Sequence, residues 1–386
     1  MNQKTGTKKS GFLRKIADKI LYRHSQKEPV ASGDLYGRLY SSIFSSLESP
    51  YMIEWFPAYI CNSRCQYCGG YDSDSQRQFE PAVPYERIVG IVRESSRNGT
   101  EVWNIGGRGG EPLLYKNIIG ILREIKKCNM RGILITNGLL LDEAFIGALH
   151  DIRWDLLRIS LDSSSGEIHD EIRGVPGNFR KIDNALTKFA DIKTASDKTA
   201  PYIICCPVVH KKNYRRILEL IDYCIEKKVE EIQLMPLMNV HSRAEQLMLT
   251  EEESRECVSL LRQKADETRI KHNINFFLAH YGKKPERNAG REEKEGILQL
   301  PFYCIHVWKT LVISEDGYLS PCTLIKDKLC KIGDSYQKAW QGDQMNKLRE
   351  KVSQKQFIHQ ACHECCGPLR SETYEFNQYL LERDRE

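Results

Sequence analysis

Cys61, Cys65 and Cys68 are spaced CxxxCxxC and directly follow an apolar run. In reducing surroundings, thiolates this close together point to metal. Three ligands are one fewer than close a structural zinc or iron–sulfur site. A [4Fe–4S] cluster held by three cysteines keeps one iron open to a small chelating ligand. A zinc loop or plain reduced thiols are the alternatives, although CxxxCxxC differs from the paired CxxC knuckles of zinc modules.

Cys304, Cys322, Cys362, Cys365 and Cys366 form a second group near the C-terminus. Cys304 and Cys322 bracket a predicted β-hairpin over 310–320, turning at Glu315, Asp316 and Gly317. Cys362 and Cys365 form a close pair across a helical segment. Cys304, Cys322, Cys362 and Cys365 together could close one site, on iron–sulfur or on zinc. Cys366 could replace Cys365, and Cys330 reads as a buried thiol.

The elements that must position these residues alternate along the chain. Strands are predicted over 52–60, 101–105, 132–136, 156–161, 202–209 and 231–235. Helices are predicted over 84–97, 116–128, 142–150, 179–192 and 214–227. Thr250 and Glu253 have capping-box spacing and open a further helix to about residue 268. Strands separated by helices pair in parallel. In a barrel-like α/β sheet the site lies at the C-terminal strand ends. Cys61 follows the first strand, Gly107–Glu111 the second and Asn137 with Gly138 the third, so one rim collects the unusual residues.

These motifs, in this order, resemble the radical S-adenosylmethionine (radical SAM) superfamily over roughly residues 50–270. The CxxxCxxC loop, with Tyr67 before its third cysteine, is similar to that family's cluster signature. Gly109, Gly110, Glu111 and Pro112 resemble its GGEP motif, which contacts the S-adenosylmethionine amino group. Glycines allow close backbone approach, and Glu111 offers a charge-assisted acceptor. Ser160 and Asp162 after strand four, with Arg173 downstream, match its polar pattern. By that resemblance Ser160 contacts the cofactor's polar end and Arg173 its carboxylate, which suits a guanidinium. Asn137, Asn213 and Met235 are further cofactor candidates; they also read as turn, cap or core residues. Arg108, inside the glycine run, faces either the site or solvent.

The resemblance implies an α/β fold, a partial (β/α)6 TIM-like barrel. It implies a reduced cluster that cleaves S-adenosylmethionine to a 5′-deoxyadenosyl radical, and a donor such as flavodoxin or ferredoxin. The second cysteine group resembles the SPASM and twitch auxiliary-cluster modules. With no cysteine after Cys366, it is closer to the one-cluster twitch form. The expected organisation is an N-terminal arm and helical extension (1–49), the barrel (50–280), a charged linker (281–300), a hairpin-plus-helix auxiliary domain (301–372) and a tail (373–386).

The consecutive pair Cys205 and Cys206 lies in strand five, where neighbours point to opposite faces. One of them should face the barrel interior. There a thiol could return a hydrogen atom to a substrate radical, or simply pack as a small hydrophobe. The functions expected are substrate oxidation or bond formation aided by the auxiliary cluster, or else epimerisation or crosslinking of a peptide. A non-catalytic zinc-binding protein is the alternative of a different class. The substrate is a small molecule or a peptide.

Composition excludes little but bounds the rest. A hydrophobic fraction of 41% across 386 residues supports a full globular core. The 57 basic against 52 acidic residues leave +5, too little to argue for nucleic acid. No apolar run is long enough to span a bilayer, and no signal peptide is visible, so the cytoplasm is expected.

Overall fold

Along the first strand, β1 (Met52–Trp55), Ile53 and Trp55 are fully buried while Met52 and Glu54 are only partly so. The period of two separates a face packed on helices from a face turned to a lumen. The same alternation of burial runs through β3 (Arg131–Thr136) and β4 (Leu156–Ile159), whereas β2 (Val102–Ile105) is buried throughout and β5 (Tyr202–Cys205) is buried from Ile203 to Cys205. In this computed structural model the described residues are 49–69, 83–195, 201–237, 242–265, 267–274, 277–278, 304, 306–325, 328–333, 335–354, 356, 358–359 and 362.

The remaining strands are β6 (Val208–Val209), β7 (Glu231–Ile232), β8 (Met235–Pro236), β9 (Lys271–His272), β10 (Thr310–Ile313), β11 (Tyr318–Ser320) and β12 (Cys330–Lys331). Strands β1 to β5, then β7 and β9, pair in parallel in that order. The helices are α1 (Tyr85–Arg97), α2 (Ile118–Lys127), α3 (Glu143–Asp151), α4 (Gly166–Arg173), α5 (Asn178–Ala195), α6 (Ile217–Glu226), α7 (Ser242–Glu245), α8 (Glu251–Ala265), α9 (His306–Lys309), α10 (Gln337–Trp340) and α11 (Asp343–Ser353). The helix α4 was missed in the sequence. The capping box is present: Thr250 N donates to Glu253 Oε2 at 2.7 Å, and Glu253 N to Thr250 Oγ1 at 3.2 Å.

Apolar stripes of the helices bury the outer sheet face. Ile88, Ile91, Ile121, Ile182 and Leu220 share one core with Trp55, Trp103, Leu157 and Ile203. Trp55 meets Trp103 and Tyr115 edge-on, with centroids 6.4 and 5.0 Å apart.

Two predicted strands are broken. Residues 202–209 divide into β5 and β6, and 231–235 into β7 and β8, with β6 and β8 forming their own parallel pair. Pro207 has no N–H for the ladder, and the Val208 N–H is taken at 2.9 Å by Asp162 Oδ1. Strand β1 ends at Trp55 rather than Ile60, because the glycine loop after β2 packs on Ala58 and Ile60.

The C-terminal hairpin continues the barrel sheet. Strand β10 pairs in parallel with the open side of β1, with Thr310 opposite Met52, and β11 and β12 follow antiparallel. Its turn carries Gly317 at φ 73°, a left-handed conformation that favours glycine. The expected N-terminal arm up to residue 48, the whole linker and the C-terminal tail lie outside the described residues.

Candidate active site

The cysteine loop after β1 is pinned at the end of α4. Arg64 N donates to Arg173 O at 2.8 Å and Gln66 N to Ile172 O at 2.9 Å. Gly174 caps α4 at φ 64°, and a Cβ there would lie 2.6 Å from Arg64 O. Cys65 is buried, and Cys61 and Cys68 are half-buried. Donors surround the sulfurs: Ser63 N is 3.4 Å and Asn137 Nδ2 3.7 Å from Cys61 Sγ, and Arg173 Nη1 is 3.7 Å from Cys65 Sγ. Burial pushes both thiols up, a cost that iron ligation and these donors would offset. Three thiols on one loop, with donors aimed at two of them, fit an iron–sulfur cluster. Among the described residues, no three Cys, His, Asp or Glu side chains gather as around a single metal ion.

The glycine loop has little freedom. A Cβ on Gly107 would lie 1.6 Å from Gly110 O, and one on Gly110 1.8 Å from Ala58 O. Gly109 adopts φ 126°. Pro112 begins a 3-10 turn, and Glu111 N donates to Ile60 O at 2.8 Å. The buried Glu111 carboxylate accepts from Thr136 Oγ1 at 2.6 Å, Asn137 N at 2.9 Å and Leu113 N at 3.1 Å. Burial raises its pKa against the pull of these donors. Its carboxylate therefore braces the loop after β3. Asn137 passes that order on, since Nδ2 reaches Asn62 Oδ1 at 2.7 Å and Ser63 Oγ at 3.0 Å.

A second network centres on Asp162, which is 1% exposed. Arg173 Nε lies 2.8 Å from Oδ2, and Tyr67 OH donates to the same oxygen at 3.1 Å. Arg173 also covers the Tyr67 ring at 5.6 Å. Asp162 N donates to His169 Nδ1, and Asn213 Nδ2 bridges the carbonyls of Asp162 and Val208. Asn213 thus acts as a buttress with its polar atoms engaged. The His210 ring lies tilted against Tyr67, with centroids 5.6 Å apart. His169 and His210 carried no signal beyond their place between motifs. Ser160 sits half-buried just past β4, and Met235 is 42% exposed in β8.

The two strand-five thiols separate as alternation demands. Cys205 packs in the helix-side core, where burial and the neighbouring Cys224 raise its pKa. That corrects its candidacy as a hydrogen-atom donor. Cys206 lies on the lumen face, and burial pushes its thiol up to about 11.

Arg108 faces neither the cluster loop nor open solvent. Its Nη2 pairs with Glu315 Oε2 at 3.2 Å, its Nη1 donates to Thr323 O at 3.2 Å, and its guanidinium covers Phe56. On the hairpin side, Thr323 Oγ1 donates to Glu54 Oε2 at 2.5 Å, and Glu54 Oε1 accepts from Asn104. Cys322 stands next to this bridge, with Leu324 N 3.5 Å from its sulfur. Cys304 and Cys362 are half-buried; Cys365 and Cys366 lie outside the described residues.

Comparison with known proteins agrees with the fold and the motifs. The family model of the radical SAM superfamily matches residues 55–224, and that of the iron-sulfur cluster-binding domain SPASM matches 304–366. The chain is a radical SAM enzyme with a C-terminal SPASM domain. Its cofactors are accordingly S-adenosylmethionine, a [4Fe–4S] cluster and auxiliary iron–sulfur. It is 26% identical over 320 residues to a "Probable GTP 3',8-cyclase" of Methanosarcina mazei, covering 81% of this chain and 86% of that one. It is 30% identical over 183 residues to an "AdoMet-dependent heme synthase" of Methanosarcina barkeri, 46% of this chain and 48% of the other. Among solved structures, Streptococcus suis SuiB bound to S-adenosylmethionine superposes with TM-score 0.63 at 17% identity, covering 92% of this chain and 81% of SuiB. The anSMEcpe enzyme with bound AdoMet gives 0.58 at 19%, covering 86% and 93%. Among the described residues no helix is long and apolar enough to cross a membrane.

Proposed function

We propose that this enzyme removes a hydrogen atom from an organic substrate in the barrel lumen and completes an oxidation or a bond formation with one auxiliary [4Fe–4S] cluster. Cys61, Cys65 and Cys68 hold the first cluster, and Cys304, Cys322, Cys362 and Cys365 the second, within an auxiliary unit spanning about 301–372. When bound, the first cluster and S-adenosylmethionine supply methionine and a 5′-deoxyadenosyl radical. The chain supplies orientation and exclusion of water. Glu111 and Asn137 fix the cysteine loop. Gly109 and Gly110 let the backbone approach the cofactor, while Ser160 and Met235 border it from the rim. Arg173, held by Asp162, keeps a cation beside Cys65.

The observation that carries this reading is the contact of Thr323 with Glu54. It ties the residue after Cys322 to the lumen-side Glu54, which supports a cluster on Cys322 near enough to accept an electron from a substrate radical. The guanosine nucleotide in one relative's name and the peptide bound to SuiB in another structure support nucleosides and peptides as first substrates to try. The position of Cys206 favours a second reading, epimerisation in which this thiol returns the hydrogen atom.

Mass spectrometry separates the two. A product lighter by two hydrogens, lost in Cys322→Ala, supports oxidation. A product of unchanged composition that takes up solvent deuterium, lost in Cys206→Ala, supports epimerisation. Turnover in Cys322→Ala equal to wild type contradicts a role for the auxiliary cluster.

A further inference from the structure

Among the described residues, the charges that line the lumen are matched, with one exception. Glu54 accepts from Asn104 and Thr323. Glu231 accepts from Tyr202 and Gln233 and lies 3.3 Å from Lys271. Arg108 and Arg173 each have a carboxylate. Arg158 has none among the described residues, and its buried Nε has no hydrogen-bond partner.

Its direction follows from β4. Leu157 and Ile159 on either side pack in the helix-side core, so Arg158 points into the lumen. Its cross-strand neighbours there are Ile135 and Ile204, which can neither neutralise nor solvate a guanidinium. On the next level up the same face lie Ser160 and Cys206, set side by side as the ladder continues through the bond from Cys206 N to Ile159 O at 2.9 Å. The register sets Arg158 opposite Ile204, two residues before Cys206 on the same face, while Glu231, level with Ile204 on β7, is already engaged by Tyr202, Gln233 and Lys271.

A partly desolvated guanidinium without a counter-ion destabilises the free protein. The same group binds a carboxylate or phosphate through two parallel hydrogen bonds. We propose that Arg158 anchors an anionic group of the substrate, a carboxylate or a phosphate, in the lumen beside Cys206. The proposal rests on the lumen being the substrate chamber. It gives the substrate class: a molecule with an oxyanion at one end and the reacting carbon nearer the rim.

The test uses the reconstituted, S-adenosylmethionine-loaded enzyme and its Arg158→Met and Arg158→Lys variants, melted in rising inorganic phosphate or acetate. The anchor predicts that one anion raises the wild-type melting temperature. Arg158→Met should need at least about tenfold more of it, with Arg158→Lys between. The stronger anion distinguishes phosphate from carboxylate. Without added anion, Arg158→Met should melt no lower than wild type. The proposal is overturned if Arg158→Met melts several degrees lower without anion, if wild type responds to neither anion, or if both proteins respond equally. A large loss of S-adenosylmethionine affinity in Arg158→Met would also overturn it, because Arg158 would then serve the cofactor's own carboxylate. Failure of the wild type to release 5′-deoxyadenosine under dithionite is a separate result and refutes the radical SAM reading itself.

Discussion

Arg108 and Glu315, 207 residues apart in sequence, meet at 3.2 Å and join the glycine loop after β2 to the turn of the C-terminal hairpin. The auxiliary segment is thereby held to the rim by a partly buried ion pair as well as by the β1–β10 ladder. Arg108→Ala leaves Glu315 buried without its cation, at a cost of about 1–2 kcal/mol. Auxiliary iron per chain and substrate-coupled turnover should both fall. Iron content equal to wild type would show that the ladder alone fixes the hairpin.

The pair Asp162–Arg173 lies almost wholly out of solvent, with side chains 0% and 7% exposed. Removing one partner strands the other, so Asp162→Asn or Arg173→Met should each cost roughly 3–5 kcal/mol. The double variant should lose less than the sum. Urea denaturation of the three proteins checks both points.

Gly110 is a steric requirement. Gly110→Ala sets a methyl 1.8 Å from Ala58 O and should displace the cysteine loop, lowering first-cluster iron and S-adenosylmethionine binding. Gly147→Ala is the control. It lies in α3 with nothing within 4 Å of an added Cβ and should be neutral or stabilising by about 0.5–1 kcal/mol.

Stability should fall in mild acid. Burial holds the imidazoles of His169 and His210 down at about 4, against about 6.5 in an unfolded chain. Between those values the unfolded chain binds protons that the folded one refuses, so stability is greatest above about pH 6.5 and declines toward pH 4. The loss from pH 7 to 5 should be roughly 2 kcal/mol per histidine. His169→Asn, which keeps an acceptor for Asp162 N, should flatten the slope by that share. An unchanged slope would contradict the assignment.

The barrel was legible because its signals are local. Helix stripes, caps and strand runs each declare themselves within a dozen residues, and CxxxCxxC and GGEP stand at strand ends. What was hidden depends on side chains meeting across the chain. Nothing near Arg108 announces Glu315, and nothing near Glu111 shows that its carboxylate serves Thr136 and Asn137. The split at Pro207 was half visible in the proline; its other cause, Asp162 taking the Val208 N–H, was not. Arg158 and Glu231 could have been noticed as charges on the lumen parity of apolar strands. Alternation predicted that one of Cys205 and Cys206 would face inward, and only the register with β4 decided which.

The central claim is that Cys61, Cys65 and Cys68 hold a cluster that cleaves S-adenosylmethionine. The direct measurement is 5′-deoxyadenosine released under dithionite by the anaerobically reconstituted enzyme, alongside its metal content. The account predicts release, about eight irons per chain, and loss of release in Cys65→Ala. Stoichiometric zinc without iron and no 5′-deoxyadenosine from wild type would contradict it.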